Sequence, residues 1–202
     1  MTIRSFIALP VSKDIANELG DLAAKMSYQD KSNAIKWVNQ ENYHITLAFL
    51  GEQSISELDT FAERLDEQLT QTEFLLNLSH LSPFPETKPK RLAAMVEKND
   101  TIVATHKQVI SSLHASGIQF DKRKFIPHLT LGRYRNTRNT YAGTIPMNVS
   151  YEAYIDEVVL YQSTLTSAGA EYEPIYRFPL DQYDEELDQF DDKFTSDTLA
   201  EC

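Results

Sequence analysis

The chain has 202 residues, 42% of them hydrophobic and 24% charged, a composition typical of a soluble globular protein. Its single cysteine, Cys202, excludes an intrachain disulfide, a cysteine zinc site and a buried thiol nucleophile, and the reducing cytosol is the expected compartment. No apolar run approaches the roughly 20 residues that cross a bilayer, so no membrane partner is expected.

The net charge of −11 is concentrated near the end of the sequence. Residues 181–202 hold nine acids and one base, whereas residues 1–180 hold 21 acids and 18 bases and are close to neutral. We therefore predict a single bilobal domain over 1–180 and an acidic tail over 181–202 that is disordered or loosely docked. The near-neutral domain is compatible with a nucleic-acid partner, which the total charge alone would argue against. A monomer is expected.

Strands and helices are predicted in an interleaved order along the chain. The predicted strands lie within residues 3–9, 34–50, 73–82, 91–97, 124–134, 146–162 and 171–180. Three helices are predicted. Their caps are Ser12, Ser54 in a capping box with Glu57, and Asp100, and Gly117 lies just past the end of the third. Strands outnumber helices about two to one, which predicts an α+β fold with mainly antiparallel sheet.

One tetrapeptide pattern occurs in two of these strands. The two copies are His44-Ile45-Thr46-Leu47 and His128-Leu129-Thr130-Leu131. Because alternate side chains of a strand share a face, each copy presents an imidazole and a hydroxyl on one face. The opposite face is apolar and should join the core, and in the first strand this core face is predicted to extend to Phe49. Two such strands side by side would make a cleft with two imidazoles and two hydroxyls.

This set of groups suits phosphoester cleavage without a metal. One histidine can take a proton from the nucleophile while the other protonates the leaving oxygen. The hydroxyls of Thr46 and Thr130 can donate to phosphate oxygens. Arg133 would add positive charge, but in an ideal strand it needs a bulge or a twist at Gly132 to reach the cleft. The sequence motifs of zinc, P-loop, serine hydrolase and dinucleotide sites are absent, and no cofactor is expected.

The paired motifs resemble those of the two-histidine phosphoesterase superfamily. Their surroundings resemble the bacterial and archaeal RNA 2′,3′-cyclic phosphodiesterases, also called 2′-5′ RNA ligases. The segments that carry the resemblance are Arg4 to Leu9, Lys36 to Val38, Asn42 to Gly51 and Phe125 to Arg133. The resemblance covers residues 3–180. It implies a bilobal α+β fold with two mainly antiparallel sheets facing a central cleft and helices outside.

The resemblance also implies an activity. The family hydrolyses an RNA-terminal 2′,3′-cyclic phosphate to a 2′-phosphate without metal, and it joins 2′-5′ linked RNA, such as tRNA halves, weakly and reversibly. His44 and His128 match the catalytic histidines, and Thr46, Thr130 and Arg133 match the residues that bind the phosphate. We assign His44 as the acid and His128 as the base, although the near-symmetry of the two strands leaves the reverse assignment open.

The base of a terminal nucleotide needs an aromatic surface, and the candidates are Phe6, Trp37 and Tyr43, each of which also fits the core. Two other functions stay open. The cleft could act on a small cyclic nucleotide, which turnover of several cyclic phosphates side by side would reveal. It could also bind nucleotides without catalysis, which binding of 2′-AMP without hydrolysis would reveal.

Overall fold

The computed structural model describes residues 1–135, 140–146, 148–167 and 169–182. The strands are β1 (Thr2–Pro10), β2 (Ile35–Trp37), β3 (His44–Ser54), β4 (Phe74–Phe84), β5 (Arg91–Val96), β6 (His128–Tyr134), β7 (Asn148–Ile155), β8 (Glu157–Leu165) and β9 (Ala170–Pro179). The helices are α1 (Lys13–Gln29), α2 (Ile55–Gln68) and α3 (Asp100–Ala115). None of the helices in the described ranges is long and apolar enough to span a membrane. The predicted acidic tail lies outside these ranges from position 183 onward.

These strands form one antiparallel sheet. Eight of them follow the order β7-β4-β5-β6-β3-β1-β8-β9, and β2 pairs with β6. The two halves of the sheet meet at one paired position, where Ile45 of β3 lies opposite Leu129 of β6. The predicted α+β class with mainly antiparallel sheet is confirmed. The expectation of two sheets is corrected to a single curled sheet, because this pair joins the two halves.

The helices begin and end close to the predicted positions. Ser54 and Glu57 form the reciprocal capping box at the start of α2. The cap of α3 is Asn99, not the predicted Asp100, because the Asn99 side chain accepts a backbone hydrogen bond from the first turn. Gly117 follows the end of α3 with φ of +71°, a left-handed conformation that favours glycine.

All three helices pack into the same apolar core. Leu19 of α1, Phe61 of α2 and Val109 of α3 are fully buried in one cluster with Ile45 and Leu129. Full burial of a side chain of this kind stabilises a fold by about 1.5–3 kcal/mol. The helices therefore cover the sheet face that carries Ile45 and Leu129, and the face that carries the two histidines is left open.

A bulge at Leu47 interrupts the alternation of β3. Consecutive residues of β1 pair with Thr46 and Ala48, so that Leu47 is an extra residue between them. Beyond the bulge Ala48 is buried, and Phe49 is 40% exposed. The prediction that Phe49 belongs to the core face is therefore wrong, because the extra residue turns its ring to the open face.

A second bulge lies at the equivalent point of β6. Consecutive residues of β5 pair with Thr130 and Gly132, so Leu131 is the extra residue. The bulge turns Arg133 toward the same open face as Thr130. The predicted irregularity beside Gly132 is therefore confirmed. Glycine is needed here because a Cβ at this position would overlap with Cγ2 of Ile35 on β2.

A methyl group at position 132 should therefore destabilise the protein. We expect Gly132→Ala to lower the free energy of unfolding, measured in urea, by about 1–3 kcal/mol, the usual cost of overpacking. In an Ile35→Ala background the obstructing methyl is absent, and the same change should cost less. An equal cost in both backgrounds would contradict the steric explanation.

Candidate active site

A cleft of about 530 Å³ lies on the open face of the sheet, over the junction of β3 and β6. The predicted catalytic residue His44 and the predicted phosphate-binding residues Thr46, Thr130 and Arg133 line it. His128 lines an adjoining hollow of about 230 Å³. The cleft and the hollow share Thr46 and Arg91, so the structure brings all five predicted residues to one continuous depression.

Local hydrogen bonds fix the ring of His44. Its Nδ1 lies 2.7 Å from the carbonyl oxygen of Asn42, so this nitrogen carries a proton and donates it. Its Nε2 lies 3.1 Å from Oγ1 of Thr46. In the neutral imidazole the Thr46 hydroxyl therefore donates to Nε2. The reactive nitrogen and the hydroxyl sit together on the cleft side.

Aromatic rings enclose His44. The ring centre of Phe6 lies 4.9 Å from that of His44, and the ring of Tyr172 lies 5.3 Å away and nearly perpendicular. Burial lowers the pKa of His44 to about 4; the bond to the Asn42 carbonyl opposes this shift, and the charges of Arg133 and His128 add to it. His44 is therefore neutral at pH 7 while the cleft is empty.

His128 repeats the backbone contact of His44 but differs at Nε2. Its Nδ1 lies 2.7 Å from the carbonyl oxygen of Ile126 and donates to it. Its Nε2 lies 3.1 Å from Nη1 of Arg91. Because a guanidinium only donates, Nε2 accepts and the ring is neutral. Burial lowers the pKa of His128; the bond to Ile126 opposes this shift, and the charge of Arg91 adds to it.

The three residues predicted to stack a base lie in different places. Phe6 lines the cleft, but it is 3% exposed and its ring supports His44. Trp37 and Tyr43 line a separate depression beside α1. Phe49, which the bulge turns outward, presents more of its ring to the cleft. Stacking of a base on Phe6, Trp37 or Tyr43 stays a prediction.

Sequence reasoning did not identify Arg91 as a site residue. It belongs to a basic group after a proline-rich loop, a pattern that equally suits a solvated surface. It is the first residue of β5, and its Cα partner on β6 is Arg133. No local motif marks this position. Only the pairing of β5 with β6 brings its guanidinium to His128.

The cleft is positively charged although the chain is acidic. Its cationic side chains are Arg4, Lys90, Arg91, Arg123 and Arg133. Its two acids are Glu52 and Asp121, and Asp121 accepts a hydrogen bond from Arg123. In the described part of the chain, no group of three or more His, Cys, Asp or Glu residues could hold a metal ion. The arrangement therefore favours an anion as the ligand.

Comparison with known proteins places the chain among phosphoesterases by sequence. The family model for LigT like phosphoesterase matches residues 9–94. An RNA 2′,3′-cyclic phosphodiesterase of Methanocaldococcus jannaschii is 30% identical over 182 residues, covering 86% of this chain and 98% of the relative. One of Thermotoga maritima is 26% identical over 179 residues, covering 86% and 94%.

Solved structures show the same fold. The crystal structure of E. coli LigT complexed with 3′-AMP superposes with a TM-score of 0.76 at 26% identity, covering 90% of this chain and 100% of the other. The crystal structure of TT0787 of Thermus thermophilus superposes with a TM-score of 0.74 at 21% identity, covering 90% and 100%, and shows the fold alone.

When an anion binds in this cleft, His44 should take up a proton. Burial holds the pKa of His44 at about 4, and a bound anion favours the charged imidazole, so sulfate should bind more tightly as the pH falls from 7 toward 5. We expect a gain of up to about tenfold per pH unit. Calorimetry in buffers of different ionisation enthalpy measures both the affinity and the proton uptake. His44→Gln should lower both the proton uptake and the pH dependence, and a flat dependence in the native protein would contradict the argument.

Proposed function

Because the chain belongs to the LigT-like phosphoesterase family, we propose that it hydrolyses RNA-terminal 2′,3′-cyclic phosphates to 2′-phosphates with His44 and His128. One observation carries this proposal. The Ile45–Leu129 pair joins the two His-x-Thr strands and directs both histidines into one cationic depression. The relatives named RNA 2′,3′-cyclic phosphodiesterase, which match along most of this chain, support an RNA end as the substrate.

The reaction needs a proton acceptor and a proton donor on opposite sides of the phosphorus. We assign His128 as the acceptor and His44 as the donor. As His128 Nε2 takes a proton from water, the water oxygen bonds to phosphorus and the bond from phosphorus to O3′ breaks. O3′ receives the Nε2 proton of His44. The product carries a 2′-phosphate and a 3′-hydroxyl, and His128 then releases its proton to solvent.

The proton on His44 arrives with the substrate in this scheme. A pKa of about 4 leaves His44 neutral in the free protein at pH 7. The cyclic phosphate is an anion, and its charge beside Nε2 raises the pKa of the imidazole. The protonated Nε2 no longer accepts a hydrogen bond from Thr46. The Thr46 hydroxyl is then free to donate to a phosphate oxygen.

Thr130 and Arg133 complete the phosphate site. Antiparallel pairing of Ile45 with Leu129 places His44 opposite Thr130 and Thr46 opposite His128. A phosphate held between the histidines therefore lies between the two hydroxyls as well. Arg133 lies on the same face beyond the β6 bulge. Its guanidinium can stabilise the extra negative charge of the pentacovalent transition state.

Metal-independent catalysis is consistent with the charges in the cleft. Two imidazoles supply the proton transfers, and the guanidinium groups of Arg91 and Arg133 supply the positive charge. A divalent cation at the phosphate would be repelled by both guanidinium groups. We therefore propose that the protein's own side chains do the work that a metal does in other phosphoesterases.

The same scheme accommodates ligation. If the 5′-hydroxyl of a second RNA replaces water, the product is a 2′-5′ phosphodiester, and the reverse reaction splits it. We propose that this activity is weak, that tRNA halves are among its substrates, and that RNA 3′ ends with a cyclic phosphate are the main partners. Because the E. coli relative was crystallised with 3′-AMP, a mononucleotide cyclic phosphate is a second candidate substrate.

Hydrolysis of a short RNA with a terminal 2′,3′-cyclic phosphate tests the proposal. The native protein should form a 2′-phosphate in EDTA, and His44→Ala and His128→Ala should each lower kcat/KM by about 10²–10⁴. His80→Ala, which changes an exposed strand histidine outside the cleft, should have no effect. A 3′-phosphate product, or activity lost in EDTA, would contradict the scheme. Turnover of mononucleotides alone would favour the second candidate.

The roles of the two histidines can be separated with an activated leaving group. A p-nitrophenyl phosphodiester of a nucleoside needs no proton donor because nitrophenolate is a good leaving group. We expect His44→Ala to recover most of its lost activity on this substrate, whereas His128→Ala stays impaired on both substrates. The opposite pattern would exchange the roles of acid and base.

A further inference from the structure

We propose that Arg91 is a positioning residue that makes the two histidines unequal. It holds Nε2 of His128 as an unprotonated acceptor, and it releases this nitrogen to the attacking water when a substrate phosphate draws the guanidinium away. The inference rests on the proposed function and explains why His128, and not His44, would act as the base.

The two histidines have the same backbone contact and different partners at Nε2. Each donates its Nδ1 proton to the carbonyl oxygen two residues before it. At His44 the Nε2 partner is a hydroxyl, Thr46, which can donate or accept. At His128 the partner is the guanidinium of Arg91, which can only donate. A protonated Nε2 is therefore compatible with the contact at His44 and incompatible with the contact at His128.

The β4–β5 hairpin holds Arg91 in this position. Phe84 and Arg91 are paired across the two strands, and the ring of Phe84 lies 4.3 Å from that of His128. The guanidinium carbon lies 5.9 Å from the centre of the Phe84 ring. Backbone hydrogen bonds from Lys90 to Phe84 and from Tyr134 to Lys90 tie the start of β5 to its neighbours. The hairpin thus places both the Phe84 ring and the Arg91 guanidinium against His128.

A single lone pair on Nε2 cannot accept from Arg91 and from water at the same time. The guanidinium must therefore leave before His128 can act as a base. Arg91 is half-buried and close to other cations, and burial together with the charges of Arg133 and Arg123 lowers its pKa. An anion in the cleft relieves this repulsion and attracts the guanidinium. Phosphate binding would in this way free the lone pair only when substrate is present.

Other charged groups also face His128 and enter the test. They come from β3, the loop before β5, α3, the segment after α3, and β6. They are His44, Lys90, His106, Asp121, Arg123, Lys124 and Arg133. Arg123 is the useful comparison, because it brings a positive charge to the same cleft and bonds to Asp121 instead of His128. Its removal separates the effect of charge in the cleft from the effect of the Arg91–His128 hydrogen bond.

Arg91→Met keeps an apolar stem beside Phe84 and removes the donor and the charge. NMR titration of the histidine ring nitrogens, without substrate, should show that the pKa of His128 rises by about one unit, while that of His44 changes less. The kcat/KM for RNA 2′,3′-cyclic phosphate should then fall about tenfold more at acid than at alkaline pH, because the base is protonated over a wider range. Saturating sulfate should raise the pKa of His128 in the native protein more than in Arg91→Met.

Arg123→Met should change the pKa of His128 and the ratio of acid to alkaline activity less than Arg91→Met does, and Arg91→Lys should retain part of the native pH profile. Circular dichroism confirms that each variant is folded. An unchanged pKa of His128 in folded Arg91→Met, or an equal loss of activity at every pH, would overturn the inference. Absence of turnover by the native protein would instead overturn the proposed function, and the titration would still test the contact between Arg91 and His128.

Discussion

The arrangement of the cleft depends on one backbone pairing, that of Ile45 with Leu129. Both side chains are fully buried, so the pair is anchored in the core while the residues on either side of it face the open side. Beyond Leu131 the same edge of β6 is taken by β2, and β3 separates from it. The two central strands therefore touch at one point and then part. This contact brings the two histidines together and leaves room for a ligand.

The bulges in β3 and β6 determine which further side chains reach the open face beside this junction. In an ideal strand alternate residues share a face, so the histidine and the threonine of a His-x-Thr pattern point to the same side. The second residue after the threonine would point there too. The extra residues Leu47 and Leu131 shift the alternation just after each threonine. On β3 the shift exposes a ring, Phe49, and on β6 it exposes a cation, Arg133. The same kind of bulge thus adds an aromatic ring to the open face of one strand and a positive charge to that of the other, although the two strands are otherwise similar.

Sequence patterns predicted the features that depend on residues close together in the chain. The helices, the capping box at Ser54 and the face shared by His44 and Thr46 follow from short-range spacing, and the structure agrees with them. The core assignment of Phe49 failed because a bulge leaves no mark in the hydrophobic pattern. Arg91 was missed because its role comes from the pairing of β5 with β6. Trp37 has an aromatic side chain suited to stacking, but strand pairing places it away from the cleft.

Burial and nearby positive charge both keep the two histidines neutral in this cleft, and a bound anion would oppose this effect. Aromatic rings and nearby guanidinium groups lower the pKa of both histidines, so the empty cleft holds its positive charge on arginine side chains. A neutral His44 has no proton to give from Nε2, and a His128 bonded to Arg91 has no free lone pair. An anion changes both conditions, since it favours protonation of one ring and draws the guanidinium from the other. Under the proposed mechanism the acid and the base would become competent together, when the phosphate is bound.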